Sequence, residues 1–158
     1  MITSIELCIN HSIKVDVLNT RRAVVSFEPG YNVLIGRNGS GKSTVLRAIA
    51  LCPMCRVLGS REHIKYVTTE TLNPRVGGTF GTREEMVRGI RAMFRSHGEC
   101  VLDSLKYQEH ADESVVLIDS PETGQDLENE IAIHEGLLKM AETFQVIIAT
   151  NSLVFMRE

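Results

Sequence analysis

The stretch GRNGSGKST, Gly36 to Thr44, constrains this chain more than any other. Three glycines and two serines around one lysine make a poor core segment, yet the residues on either side are core-like. Upstream, Val33, Leu34 and Ile35 form a continuous apolar run suited to a strand buried on both faces. Downstream, Val45, Leu46, Ile49 and Ala50 fall on one stripe of a helix. Strand, glycine loop and helix in that order turn successive backbone N–H groups inward as an anion nest at a helix N-terminus. Gly36, Arg37, Asn38, Gly39, Ser40, Gly41, Lys42, Ser43 and Thr44 are therefore the candidate phosphate-binding residues. Lys42 is expected to reach the β- and γ-phosphates of a nucleotide, and the Ser43 hydroxyl to enter the shell of a Mg²⁺ ion.

A Mg²⁺ site of this kind needs a second anchor at the end of a neighbouring strand. Asp119 closes the apolar run VVLID and is the candidate, directly or through water. QVIIATN reads as a third core strand, and the segment from Asp126 to Glu142 as a helix with Leu127, Ile131, His134, Leu138 and Ala141 inward. His134 on that stripe reads as a core residue rather than a catalytic one. Alternation at Ile5, Leu7 and Ile9, and again at Ile13, Val15 and Val17, followed by AVVSF, predicts strands in the first third, with NHS as a turn. From Arg56 to Gly81 the chain reads as irregular apart from HIKYV. Helices are expected over Arg83 to Phe94 and Glu99 to Tyr107. These pieces predict one α/β domain over residues 1–158, with a mostly parallel core sheet and an antiparallel β flank near the N-terminus.

The chain's 158 residues fit a single core, and no apolar run approaches the roughly 18 residues of a membrane helix. MITSIELCIN reads as a strand rather than a signal peptide, so the expected location is the cytoplasm. A net charge of -3 argues against a strongly basic nucleic-acid platform but leaves room for a local basic face. Of Cys8, Cys52, Cys55 and Cys100, only Cys52 and Cys55 have metal-like spacing, and no second CxxC completes a set of four ligands. His63 could supply a third ligand, or two chains a pair each. The reading adopted is a helix end before Pro53, with unpaired cysteines acting as small buried hydrophobes.

With the loop, the Asp119 strand and QVIIATN in sequence, the chain resembles the ABC-type ATPases, in particular compact members related to the SMC, RecF and OLD groups. The resemblance runs from FEPGYNVLIGRNGSGKSTVLRAIA through SHGE and VVLIDSPETG to IIATNS. It implies a P-loop fold with a reduced helical lobe, ATP and Mg²⁺ as ligands, and hydrolysis of ATP to ADP and phosphate. It also implies a head-to-tail dimer in which Ser96, His97, Gly98 and Glu99 act as the signature that binds the γ-phosphate held by the opposite subunit. Gln125 and Asp126 fall at the family's subunit-contacting loop, and the relatives imply a DNA-linked process.

Three departures separate the chain from that pattern. Where the family has a glutamate to polarise water, this chain has Ser120, which is no carboxylate base; Glu122, beyond Pro121, reaches the water only if the turn bends inward. Where the family has a switch histidine, Asn151 stands, able to hydrogen-bond a phosphate but uncharged. No glutamine occurs between the loop and Gln108, leaving Glu70 as the nearest candidate for the metal- and water-sensing position. Ser120, Glu122 and Asn151 are the candidate catalytic residues, and the expectation is tight binding with slow turnover.

Two other readings compete. Arg88, Arg91 and Arg95 share a helix face as the lid of a small P-loop kinase would, or as a DNA-backbone contact, although Glu84 four residues before Arg88 also fits a solvated face. A nucleotide-gated binding module, closing on ATP and presenting a surface to a partner, accommodates the three departures without rapid turnover.

Overall fold

A computed structural model describes residues 1–15, 24–68 and 115–156. Ser96 to Glu99, Glu70, Arg88, Arg91, Arg95 and the two helices expected after Gly81 lie outside the described residues. In chain order the described elements are β1 (Ile2–Glu6), α1 (Ile9–Val15), β2 (Val24–Ser26), β3 (Tyr31–Ile35), α2 (Lys42–Leu51), β4 (Arg56–Gly59), β5 (Ile64–Thr68), β6 (Val115–Asp119), α3 (Leu127–Met140) and β7 (Gln145–Thr150), with a 3₁₀ turn at Leu153–Phe155.

β3, β7, β6 and β5 lie side by side in that order, all parallel. Alternate residues of the central strands reach opposite faces. Val115, Leu117, Ile147 and Ala149 pack with Val45, Leu46, Ala48 and Ile49 of α2, while Val116, Ile118, Val146 and Ile148 pack with Ile133, Leu137 and Met140 of α3. Every residue of β6 and β7 is buried. Covering both faces is what their central apolar runs, Val115 to Ile118 and Val146 to Ala149, require, since a parallel sheet with one wet face would strand half of those side chains in water.

The second sheet is antiparallel, β2–β1–β4. Gln145, 2% exposed at the start of β7, ties it to the first. The Ile2 N–H donates to its Oε1 at 2.7 Å, and its Nε2 donates to Ile2 O at 2.7 Å and Glu28 O at 2.9 Å. A side-chain amide thus continues backbone pairing between the two sheets. Gln145→Leu would leave the N–H and C=O of Ile2 buried without these partners, and is expected to lower stability in urea by roughly 2–4 kcal/mol. A loss below about 0.5 kcal/mol would mean that the junction does not depend on the amide.

Three local expectations change. Ile13 to Val17 was expected as a strand, but Ile9–Val15 is a helix, opened by the N–H groups of His11 and Ser12 donating to Cys8 O at 2.9 and 2.8 Å. Both edges of β1 are already occupied by β2 and β4, so a further strand there has no partner on β1. Arg56 to Gly59, expected as irregular, is β4; it is short and mostly exposed, and its pairing with β1 rather than any apolar pattern makes it a strand. The helix from Asp126 is present, but its inward face is Ile133, Leu137 and Met140, with Leu127 and Ile131 exposed. The segment carries two apolar stripes a residue or so apart, and packing on the sheet selects one.

His134, half-buried as a packing residue, lies between Tyr31 and Phe155 at ring-centroid distances of 5.6 and 5.8 Å. Desolvation lowers its pKa, and the charge of Glu135 opposes that shift.

Candidate nucleotide site

The parallel register decides which residues meet. Ile35 pairs with Thr150 and Asp119 with Ala149, so the C-terminal ends of β3, β7 and β6 are level. The glycine loop leaves β3 at that level, and Asn151 and Ser120 follow the other two strands beside it.

Within the loop, Gly39 and Gly41 adopt φ of +79° and +92°, left-handed conformations that glycine enters without a Cβ penalty. Gly41 is the N-cap of α2 and supplies no side-chain cap, and the first turn carries no acidic residue. The first amides of a helix have no intrahelical acceptors, so here they are suited to an external anion. The Ser40 hydroxyl is also buried with no hydrogen-bond partner among the described residues.

Lys42 Nζ donates to Gly36 O at 2.7 Å, to Arg37 O at 2.9 Å and to Asn151 Oδ1 at 2.6 Å. The amide nitrogen of Asn151 in turn donates to Asn38 Oδ1. Asn151 is therefore linked to the loop on both sides of its amide. Glu122 is brought in by the turn after β6, in which Thr123 N–H donates to Ser120 O and Gln125 N–H to Glu122 O, both at 3.1 Å. Its Oε2 accepts from Thr150 Oγ1 at 2.8 Å and its Oε1 from the Asn151 N–H at 2.9 Å. The turn does bend inward, and Glu122, Asn151 and Lys42 form one chain of contacts.

On the other side of the loop, Ser43 Oγ donates to Asp119 Oδ1 at 2.8 Å. Asp119 is 7% exposed. A hydroxyl and a carboxylate adjacent at a strand end are hard oxygen donors that suit Mg²⁺. Tyr66 on β5 completes this corner, donating its hydroxyl to Asp119 Oδ2 at 3.0 Å while accepting from Arg47 Nε at 3.4 Å. Burial raises the Tyr66 pKa; Arg47 counteracts that and Asp119 reinforces it, so the phenol remains a donor. Tyr66 was not singled out in the sequence. The pairing of β5 with β6 is what brings it to Asp119, and the one signal was that HIKYV is an isolated strand-like island.

Ser120 adopts φ +56° and donates Oγ to Asp119 Oδ1 at 3.3 Å, so at this position the chain carries a hydroxyl turned to the aspartate. Asp126 caps α3 by accepting from the Asn129 N–H at 2.9 Å. Ser96, His97, Gly98 and Glu99, expected from the sequence as a signature, and the arginines of the kinase reading are outside the described residues.

A glycine loop between a parallel strand and a helix, with its lysine in the loop's centre and a serine–aspartate pair beside it, defines a P-loop ATPase fold of the ABC/AAA type. A family model described as an AAA domain matches residues 16–149, and the chain belongs to that family. It is similar to the DNA replication and repair protein RecF of Marinomonas sp. (strain MWYL1), 39% identical over 61 residues, a match covering 37% of this chain and 17% of that protein. In fold it is similar to a nucleotide-free ATP-binding cassette from an ABC transporter, with TM-score 0.60, 13% identity and coverage of 98% of this chain and 83% of that one. A dimeric ATP-binding cassette in a post-hydrolysis state bound to ADP and Pi is also similar, with TM-score 0.56, 15% identity and coverage of 84% and 79%. Among the described residues, no helix is long and apolar enough to cross a membrane.

Proposed function

We propose that residues 1–158 act as one ATP-binding domain that holds ATP with Mg²⁺ on the Gly36–Thr44 loop, hydrolyses it slowly, and closes as a head-to-tail homodimer through Ser96 to Glu99. The observation that carries this reading is the 2.8 Å bond between Ser43 and Asp119, residues far apart in sequence that meet beside the loop. Ser43 and Asp119 are the residues to hold Mg²⁺, which when bound neutralises charge on the phosphate oxygens. Lys42 supplies a positive charge to the β- and γ-phosphates, and the loop amides bind the remaining phosphate oxygens. Asn151 hydrogen-bonds the terminal phosphate, while Glu122 orients water from its anchorage on Thr150 and Asn151.

Slow turnover is supported by Ser120, whose hydroxyl is turned to Asp119 and offers no carboxylate to an attacking water. The same observation favours a second reading, a nucleotide-gated interaction module in which closure rather than hydrolysis is the output. The partial similarity to RecF supports a DNA-linked process for either.

Light scattering with Mg²⁺ and either ATP or a non-hydrolysable analogue, followed alongside phosphate release, tests the proposal. ATP-dependent dimers with measurable release support the ATPase, and dimers without release support the module. A chain that stays monomeric in both nucleotides while binding them would overturn the dimer. No binding of either nucleotide even at millimolar levels would overturn the whole reading.

A further inference from the structure

At the far end of α2 from the phosphate loop, four potential metal ligands converge from separate parts of the chain. Cys8 leaves β1, and the first turn of α1 brings His11 back beside it, with Cys8 Sγ and His11 Nδ1 3.1 Å apart. Cys52 is the C-cap of α2, and the turn through Pro53 and Met54 brings Cys55 to the same place. Cys8 Sγ lies 4.0 Å from Cys52 Sγ, and Cys55 Sγ lies 3.5 Å from His11 Nδ1. All four ligand atoms fall within 4.8 Å of one another. The sequence reading of Cys52 and Cys55 as a helix end was right about α2 and incomplete about the thiols, and His63, the third ligand weighed there, is not in the cluster.

The separations of 3.1, 3.5 and 4.0 Å lie near those of a known geometry. With Zn–S near 2.3 Å and Zn–N near 2.0–2.1 Å, a tetrahedral site has S–S edges of about 3.8 Å and S–N edges of about 3.6 Å. The three cysteines are free, and 4.0 Å between sulfurs is well beyond the roughly 2.05 Å of a disulfide. Polar contacts also surround the sulfurs. The Cys8 N–H donates to Cys55 Sγ at 3.3 Å. Arg61 fixes the cysteine turn, donating Nη1 to Cys52 O at 2.7 Å and Nη2 to Cys55 O at 2.8 Å. Three thiolates and a divalent cation leave one net negative charge, which the guanidinium offsets. Such outer contacts orient ligands and tune a site.

We propose that Cys8, His11, Cys52 and Cys55 bind one Zn²⁺. Three sulfurs and an imidazole select zinc over hard cations, and four protein ligands with no open position make the site structural rather than catalytic. It is separate from the Mg²⁺ corner and independent of the nucleotide reading, since the ten residues of α2 hold the two apart by about 15 Å. Its role is to fasten α1 and the β1–β4 pair to the helix that begins at the phosphate loop: Cys8 lies between β1 and α1, His11 lies in the first turn of α1, and Cys55 immediately precedes β4.

The full chain, purified under reducing conditions without chelator, is expected to carry about one equivalent of zinc by elemental analysis, and a zinc-selective chelator in excess Mg²⁺ to lower its melting temperature. Replacing the zinc by Co²⁺ should give tetrahedral d–d bands and a sulfur-to-cobalt charge-transfer band. Cys55→Ser should lose that spectrum, and Cys100→Ser should keep it. Should Cys55→Ser fail to fold, His11→Cys keeps the question open to refutation, because a fourth thiolate must raise the charge-transfer intensity and shift the d–d bands. Zinc below about 0.1 equivalent with no cobalt spectrum, a spectrum unchanged by His11→Cys, or one abolished by Cys100→Ser would each overturn the site.

Discussion

Lys42→Ala weakens ATP binding by about 100-fold, roughly 2.7 kcal/mol, while leaving the melting temperature near that of the parent. The lysine's ammonium makes its three hydrogen bonds to Gly36 O, Arg37 O and Asn151 Oδ1, within the loop and at the end of β7. None of these contacts belongs to the two apolar clusters, so the fold loses little when the side chain is removed. A bound triphosphate loses the Lys42 ammonium, and a charge-assisted bond to phosphate is about twice as strong as a neutral one. Titration of a fluorescent ATP analogue in Mg²⁺ measures the difference. Affinity within about threefold of the parent would mean that the loop does not hold the triphosphate in the expected way.

Ser120→Glu raises the rate of phosphate release by about 100-fold, the ordinary range for adding a positioned general base. Ser120 directly follows Asp119, and its N–H donates to Ala149 O at 2.8 Å, so the backbone at that position is held by β7. A carboxylate introduced there starts beside the Ser43–Asp119 pair. Glu122, by contrast, has each oxygen engaged, by Thr150 and by the Asn151 N–H. The new glutamate inherits φ +56°, a conformation that costs non-glycine residues roughly 1–2 kcal/mol but that Ser120 already bears, so the variant should fold. Glu122→Gln in the parent background reports on the existing route. If Ser120→Glu is no faster than the parent while Glu122→Gln is much slower, Glu122 is already an effective base and turnover is not limited by the serine.

How far the fold could be read from the sequence followed how local each signal was. The glycine loop, β3 and α2 are contiguous, and each announces itself by composition, since the phosphate nest needs glycines and the flanking elements need apolar residues. β6 and β7 were legible because strands buried on both faces carry a continuous apolar run, here Val115 to Ile118 and Val146 to Ala149. α1 was misread because Ile13, Val15 and Val17 satisfy a strand's period, and only the occupancy of both edges of β1 rules that strand partner out. β4 was missed because a mostly exposed strand has no apolar pattern to read.

The site divides the same way. Lys42, Ser43 and Asp119 stand out as candidates by type and position, but the contact of Tyr66 with Asp119 does not, because nothing between Ile64 and Thr68 indicates which strand β5 will adjoin. Glu122 was ambiguous until the turn after Pro121 was seen to carry it to Thr150 and Asn151.

From its sequence alone this chain is committed to a phosphate-binding loop between a buried strand and a helix, because those requirements are met by neighbouring residues. Tertiary structure decided which distant groups share a space. Parallel register levels the ends of β3, β7 and β6 so that Asn151 and Asp119 flank the loop, packing turns Ile133 and Leu137 of α3 inward, and the contact of α1 with α2 gathers Cys8 and His11 onto Cys52 and Cys55. Those outcomes depend on pairing and packing across long stretches of chain, which local periodicity does not encode.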